Sequence, residues 1–335
     1  MKKFFLFSTI TLLYIFSAAL FIGYHELIHY AQNPASTKFE PNMISIQPGQ
    51  SFKSITEKLY DNGIIDNIFK FKLYTRIKGF DRDVKAGQYL LSPDMSPQKI
   101  IEVLVRGKVY LYRITIPEGY NLYELATLLE KTNIVKSSDF LSAANDTKLI
   151  QHLGINAKNF EGYLFPDTYF FEKDAAPEKI ISTMVKQFYN TFNPLWEKRS
   201  SDLQLSMHEI VTLASIIEKE TGLAEERPLI SSVFHNRLKK NMRLQSDPTV
   251  IYGVENFDGN LTRKHLQTPT PYNTYTLYGL PPAPIAAPGK ASLEAAIFPP
   301  ESPYLFFVSK KDRSHFFSTN YEDHKAAVRK YQLNQ

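Results

Sequence analysis

Glu218 sits in the run Leu213-Ala214-Ser215-Ile216-Ile217-Glu218-Lys219-Glu220-Thr221, a carboxylate on the flank of an apolar helical stretch. A carboxyl group set against apolar side chains tends to keep its proton near neutral pH, because desolvation disfavours the charged form, and a kept proton is what a general acid needs. At about 100° per residue, Glu218 falls between Val211 and Ala214 and Glu220 between Leu213 and Ile216, so both flank the apolar face. Geometry alone does not choose between them, but Ala214 and Ser215 leave room for a ligand beside Glu218, whereas larger aliphatics crowd Glu220, and this favours Glu218 as the candidate acid. Either glutamate can instead pair with Arg227 or Arg237.

The surroundings add to Glu218. Asn236-Arg237-Leu238, the stretch from Met242 through Gln245, Asp247 and Tyr252 to Gly253, Thr270-Pro271-Tyr272-Asn273-Thr274-Tyr275, and Gly279-Leu280-Pro281-Pro282 follow it. Their amides, hydroxyls and aromatic faces lie on turn-rich segments, which line sites for polar ligands more often than they fill cores. Amides and rings together suit a glycan. Asp247 before Pro248 either contacts such a ligand or starts a turn with its carboxylate on a backbone amide. Glu161 is either a second active-site carboxylate or the partner of an arginine.

Other chemistries lack their residues. The chain has 335 residues, 43% of them hydrophobic, a net charge of +5, a pI near 9.0 and no cysteine. Thiolate nucleophiles, disulfide scaffolds, cysteine metal sites and lipoprotein anchors are thereby excluded. Eight histidines show no His-Glu-x-x-His pattern, so neither a metal site nor any other cofactor is expected. Basic residues are scattered among acidic ones without the clustered face that nucleic acid requires. Twenty Tyr and 24 Phe against one Trp give many rings, which serve sugars as well as cores.

The elements that must position these residues are mixed. Met43-Ile44-Ser45-Ile46-Gln47 alternates like a strand, Pro48-Gly49 turns, and Ser51 caps a helix carrying Ile55, Leu59 and Tyr60. Arg113 to Ile116, Pro117-Glu118-Gly119 and a helix with Leu122, Leu125, Ala126 and Leu129 repeat that pattern, which suggests an internal duplication. A strand at Val84–Leu91 and a helix from Ser96-Pro97 lie between them. Further helices are expected over 138–144, 176–192, 207–220, 223–239, 292–296 and 321–331, and strands over 304–308 and 315–318. Val250-Ile251-Tyr252 reads as a short strand or a helical turn, and Pro281 to Gly289 as a shaped loop. Without a regular β-helix-β rhythm the fold class is α+β.

Lys2 and Lys3 precede an uncharged apolar run from Phe4 to Tyr24, long enough for one bilayer span and without a small-residue cleavage site. It reads as an uncleaved, single-pass anchor in the plasma (inner) membrane. The positive-inside rule puts the N-terminus in the cytoplasm and everything after Tyr24 across the membrane, in the periplasm or its equivalent. His25 to about Pro41 reads as a polar tether.

The downstream blocks, together with Glu161-Gly162-Tyr163-Leu164-Phe165-Pro166-Asp167-Thr168-Tyr169 and Pro303-Tyr304-Leu305-Phe306-Phe307-Val308, resemble the YceG-like family of bacterial endolytic murein transglycosylases over nearly the whole chain. The run Ile44 to Ser51 followed by Ile55 and Leu59 resembles the opening of LysM, a small module that binds N-acetylglucosamine-containing glycans, although plain strand–turn–helix architecture gives the same pattern. The resemblance implies an anchor and tether over 1–40, a LysM-like subdomain over 41–111 and a catalytic domain over 112–335. It implies cleavage within peptidoglycan strands between N-acetylmuramic acid and N-acetylglucosamine to leave 1,6-anhydro ends, and partnership with peptidoglycan synthases. The family's catalytic glutamate falls on Glu218. Asn236, Gln245, Asn273 and Tyr275 become candidate binders of acetamide and hydroxyl groups, Tyr169 and Tyr252 candidate stacking faces, and Glu161 and Asp247 candidate sugar contacts. A muramidase using water would need a second carboxylate, Asp247 or Glu161, and a non-catalytic wall-binding protein would need none.

Overall fold

The computed structural model describes residues 2–333, with side chains from residue 7 onward. The side chains of Lys2 and Lys3, on which the expected orientation rests, lie outside the described residues. The chain forms two compact units, Met1–Tyr112 and Arg113–Gln335. In the first, a long helix α1 (Lys2–Gln32) precedes β1 (Asn42–Ile46), α2 (Phe52–Asp61), α3 (Ile68–Ile77), β2 (Gly87–Leu91) and α4 (Pro97–Arg106). Strands β1 and β2 pair antiparallel, with Ile44 opposite Tyr89. Ser51 and Ser96 cap α2 and α4 through their side chains.

The stretch Phe7–Gln32 of α1 is long and apolar enough to cross a bilayer, by length and composition. No proline or further glycine follows Gly23 until Pro34, so the helix does not stop at His25 as a tether would require. Leu27, Tyr30 and Ala31 recur at helical spacing and are buried in one core with Ile44, Leu59, Phe71, Tyr89 and Leu104. The Tyr30 hydroxyl donates to the Asn67 carbonyl at 3.0 Å. The end of the apolar helix is therefore part of the first unit. A fragment starting at His25 is expected to unfold roughly 3 kcal/mol harder than one starting at Asn33, for the lost burial of Leu27 and Tyr30. Equal thermal midpoints for the two fragments would contradict this packing.

The second unit runs β3 (Tyr112–Thr115), α5 (Leu122–Lys131), α6 (Ser137–Ala144), α7 (Thr147–His152), β4 (Thr168–Phe171), α8 (Pro177–Thr191), α9 (Pro194–Asp202), α10 (Met207–Glu220), α11 (Arg227–Lys239), α12 (Asp247–Tyr252), α13 (Arg263–Gln267), α14 (Lys290–Ile297), β5 (Phe306–Ser309), β6 (His315–Ser318) and α15 (Tyr321–Val328). Strand β3 pairs with β4, and β5 with β6 in an antiparallel hairpin, so the molecule is α+β with small separate sheets. Val250-Ile251-Tyr252 is helical, as the end of α12.

Helix α10 is the axis of this unit. Ser206 and Glu209 form a reciprocal capping box at its start, every residue from Ile210 to Ile217 is buried, and α9, α11, α12 and α14 pack around it. It stops at Glu220 because Thr221 turns to extended backbone, φ −141° and ψ 139°.

Candidate active site

Glu218 and Glu220 stand two residues apart on α10, about 200° around the axis, so they face nearly opposite sides. On one side, Glu218 Oε1 accepts a hydrogen bond from Arg227 Nη2 at 3.3 Å and Oε2 one from the Gly289 N–H at 2.9 Å. The same Arg227 nitrogen lies 3.8 Å from Glu118 Oε2. Glu118 comes from the turn before α5, and burial first, then the charge of Glu218, raise its pKa, while Arg227 opposes the rise. Its carboxyl occupies the space that a Cβ on Gly289 would fill, so Gly289 admits this close approach. Glu218 is thus clamped in an ionic cluster rather than left against bare apolar surface.

On the other side, Glu220 opens to a cavity of about 520 Å³ together with Arg237, Gln245, Asp247, Tyr275, His315 and His324. Burial, the dominant cause, and the neighbouring Asp247 push its carboxyl up to about 7, against the pull of the Ser246 hydrogen bond and Arg237. Ser246 Oγ donates to Glu220 Oε1. The Tyr275 hydroxyl donates to Asp247 Oδ1 at 2.6 Å. Gln245, held at φ +51°, turns the chain there. Three residues singled out in the sequence, Gln245, Asp247 and Tyr275, therefore share one polar cavity, and the glutamate among them is Glu220. The reason lies in the helix end. With no turn of α10 beyond Glu220, the segment 245–247 packs against it.

The remaining candidates do other work. Tyr169 is 7% exposed on β4, donates to the Phe165 carbonyl at 2.6 Å and stacks on Phe171, so its face is spent in the core. Asn236 donates to the carbonyls of Ser302 and Tyr304 at 2.8 and 3.0 Å, tying α11 to the loop before β5. Asn273 is fully buried. Its amide donates to the carbonyls of His265, Leu266 and Thr268, and its oxygen accepts from the Tyr275 N–H, which leaves nothing for a sugar. Tyr252 donates to Glu161 Oε2 at 2.9 Å, and its ring meets Tyr272 edge-on beside a second cavity of about 840 Å³ that Tyr123 and Phe257 also line.

Glu161 is 2% exposed and also accepts from the Leu122 N–H at 3.2 Å, closing the start of α5 onto α12. Burial is the largest cause raising its pKa to about 7, and both hydrogen bonds oppose it. A carboxyl raised in the folded state from 4.5 contributes stability below that value, which is lost as pH rises through 7. Glu220 behaves alike. Urea midpoints are expected to fall between roughly pH 5 and pH 7.5, and Glu161→Gln, which keeps both acceptor bonds, should remove about half of that fall. An unchanged pH profile in the variant would contradict the assignment.

Arg237, His315 and His324 line the cavity without having been singled out for it, and Ser246 reaches Glu220 through its hydroxyl. Arg237 stood in the sequence as a possible partner of either glutamate, and it is buried, at 6% exposure, with its charge beside Glu220. The histidines come from β6 and α15, far along the chain, and no local spacing points to them. Among the described residues no group of three or more His, Asp or Glu side chains is placed to hold a metal ion.

The YceG-like family model matches residues 44–330. The endolytic murein transglycosylase of Bacillus subtilis (strain 168) is 34% identical over 86% of this chain and 84% of its own length. That of Streptococcus pneumoniae serotype 2 (strain D39) is 28% identical over 96% of this chain, which spans 64% of the pneumococcal protein. A crystallised YceG-like protein of Listeria monocytogenes shares 34% identity at a TM-score of 0.60, covering 87% of this chain and 100% of that one. With the match running from β1 past the end of α15, this chain belongs to the YceG-like family.

Proposed function

We propose that this chain is an endolytic murein transglycosylase, cutting between N-acetylmuramic acid and N-acetylglucosamine within peptidoglycan strands to leave 1,6-anhydro ends. The observation that carries the reading is Glu220, a carboxyl held near pH 7 in a polar cavity with amide, phenol and carboxylate neighbours. Glu220-COOH protonates the leaving oxygen, the substrate's acetamido carbonyl stabilises the cationic centre, and Glu220-COO⁻ takes the proton from the C6 hydroxyl that closes the anhydro ring. The attack is intramolecular, so orientation of the sugar supplies much of the rate.

What favours Glu220 over Glu218 is occupancy. Both oxygens of Glu218 are engaged, by Arg227 and Gly289, whereas Glu220 shares its cavity with the residues suited to a sugar. Glu218 then serves the Arg227 cluster. Gln245 and Tyr275 are the proposed contacts for acetamide and hydroxyl groups. Helix α1 tethers the enzyme to the plasma membrane, N-terminus in the cytoplasm and catalytic unit outside, close to the synthases that extrude new strands. The LysM-like reading of residues 41–111 is supported by the Ile44 to Ser51 run, which folds as β1, a Pro48-Gly49 turn and the cap of α2. Glycan contact there belongs to the same proposal.

One observation favours a second reading. Asp247 lies in the cavity with Glu220 and is a second carboxylate, which a muramidase would use to activate water. Incubating the protein with uncrosslinked glycan strands and resolving the fragments by mass spectrometry decides between them. Internal fragments with anhydro ends are expected. Reducing ends favour the muramidase, and no cleavage by folded protein defeats both.

A further inference from the structure

A carboxyl group that gives a proton and takes one back within a turnover works best when one fixed oxygen does both. Glu220 Oε1 accepts from Ser246 Oγ, and Oε2 makes no hydrogen bond among the described residues. Ser246 is 1% exposed and its place is over-determined. Its N–H donates to Thr274 Oγ1 at 2.9 Å, its carbonyl accepts from Thr249 Oγ1 at 2.7 Å, and the two threonine hydroxyls lie 2.8 Å apart. The preceding Gln245 N–H donates to the Thr274 carbonyl at 3.1 Å and holds that residue in the left-handed region at φ +51°. A non-glycine residue keeps such a conformation only where its surroundings impose it. Thr274 is anchored in turn by its neighbour Asn273, whose buried amide closes the loop onto α13. The segment 273–275 and the turn 245–247 thus form a frame whose one hydroxyl directed at α10 is that of Ser246.

We propose that Ser246 is the positioning residue of the acid/base, its hydroxyl donating to Glu220 Oε1 so that Oε2 carries the transferable proton. The inference rests on the proposed reading of Glu220. Ser246 keeps its own proton throughout. It donates to a carbonyl-type oxygen while Glu220 is protonated and to a carboxylate oxygen after the proton has gone to the leaving group. The second bond is the stronger, because the acceptor is then charged. The other groups facing Glu220 are Arg237 from α11, Asp247 from α12, Tyr275 from the loop after α13, His315 from β6 and His324 from α15. None of these makes a hydrogen bond to Glu220 among the described residues.

The test is the pH dependence of strand cleavage by the intact protein and its Ser246→Ala, Ser246→Thr and Glu220→Gln variants. With an acid that must be protonated, activity falls on the alkaline side as Glu220 ionises. Ser246→Ala removes a bond that favours the charged form, so the alkaline limb should move up by roughly one pH unit. kcat should drop about 10- to 100-fold with KM nearly unchanged, since only orientation is lost. Ser246→Thr should restore both. If Ser246→Ala does not fold, Ser246→Cys, a weaker donor of similar shape, should show both changes in reduced form. Wild-type kcat and an unmoved limb in a folded Ala or Cys variant overturn the inference while Glu220→Gln stays inactive. An active Glu220→Gln enzyme overturns the reading of Glu220 itself.

Discussion

Glu220→Gln is expected to slow strand cleavage by roughly 10² to 10⁴-fold, the range that one general acid/base supplies, and to leave the fold intact. Glutamine keeps an acceptor for the Ser246 hydroxyl, so the frame around it has no cause to move. It cannot give a proton to the leaving oxygen. Glu218→Gln should do the reverse. Cleavage stays within a few-fold of the parent, and stability falls by about 1 to 3 kcal/mol, because Arg227 loses the charge of its nearer partner in a mostly buried site. Among the described residues Arg227 then keeps one acidic partner, Glu118, which lies farther away and is about half exposed. Measuring initial cleavage rates and urea midpoints for both variants separates the two glutamates. A dead Glu218→Gln with an active Glu220→Gln would return the acid/base role to Glu218.

The second large effect is on stability, at Arg237. Its Nε donates to the Leu305 carbonyl at 2.7 Å, its Nη1 to the Leu244 carbonyl at 2.6 Å, and its guanidinium lies 5.3 Å from the centre of the Phe306 ring. One side chain thereby joins α11, the turn before Gln245 and the start of β5, and stands beside Glu220 as a compensating charge. Arg237→Met fills much of the volume but leaves two carbonyls without donors and Glu220 without a cation. The expected loss is roughly 2 to 5 kcal/mol. Arg237→Lys should rescue little, since an ammonium cannot span both carbonyls with the planar fork of a guanidinium. A loss below about 1 kcal/mol in Arg237→Met would show that the carbonyls find other partners.

Much of this architecture was legible because local signals agreed. Helix α10 was readable over 207–220 from its helical periodicity, and α4 from Ser96-Pro97. Short helices such as α7 and α13 were not, since five or six residues carry too little periodicity to register. The tether failed for a different reason. Polar residues after Tyr24 looked like a linker, yet Leu27, Tyr30 and Ala31 form a buried stripe that is visible only once the rest of the core is in place.

The site divides the same way. The turn-rich blocks pointed to Gln245, Asp247 and Tyr275, because segments that abandon regular structure while keeping amides and phenols are where cavities form. The same rule also singled out Asn273 and Asn236, whose amides donate to backbone carbonyls. An amide that builds a loop and an amide that holds a sugar have the same letter. Glu218 was favoured on its smaller helical neighbours, whereas the cavity beside Glu220 depends on what packs at the end of α10. What lies beyond a helix end is decided by a segment some 25 residues later in the chain, which periodicity does not reach.

The central claim is that Glu220 works alone on a reaction closed by the substrate's own C6 hydroxyl. Digesting uncrosslinked glycan strands in water enriched in heavy oxygen measures this most directly. The account predicts new ends that are anhydro sugars without incorporated label. New reducing ends carrying heavy oxygen would contradict it and make Asp247 the partner that delivers water.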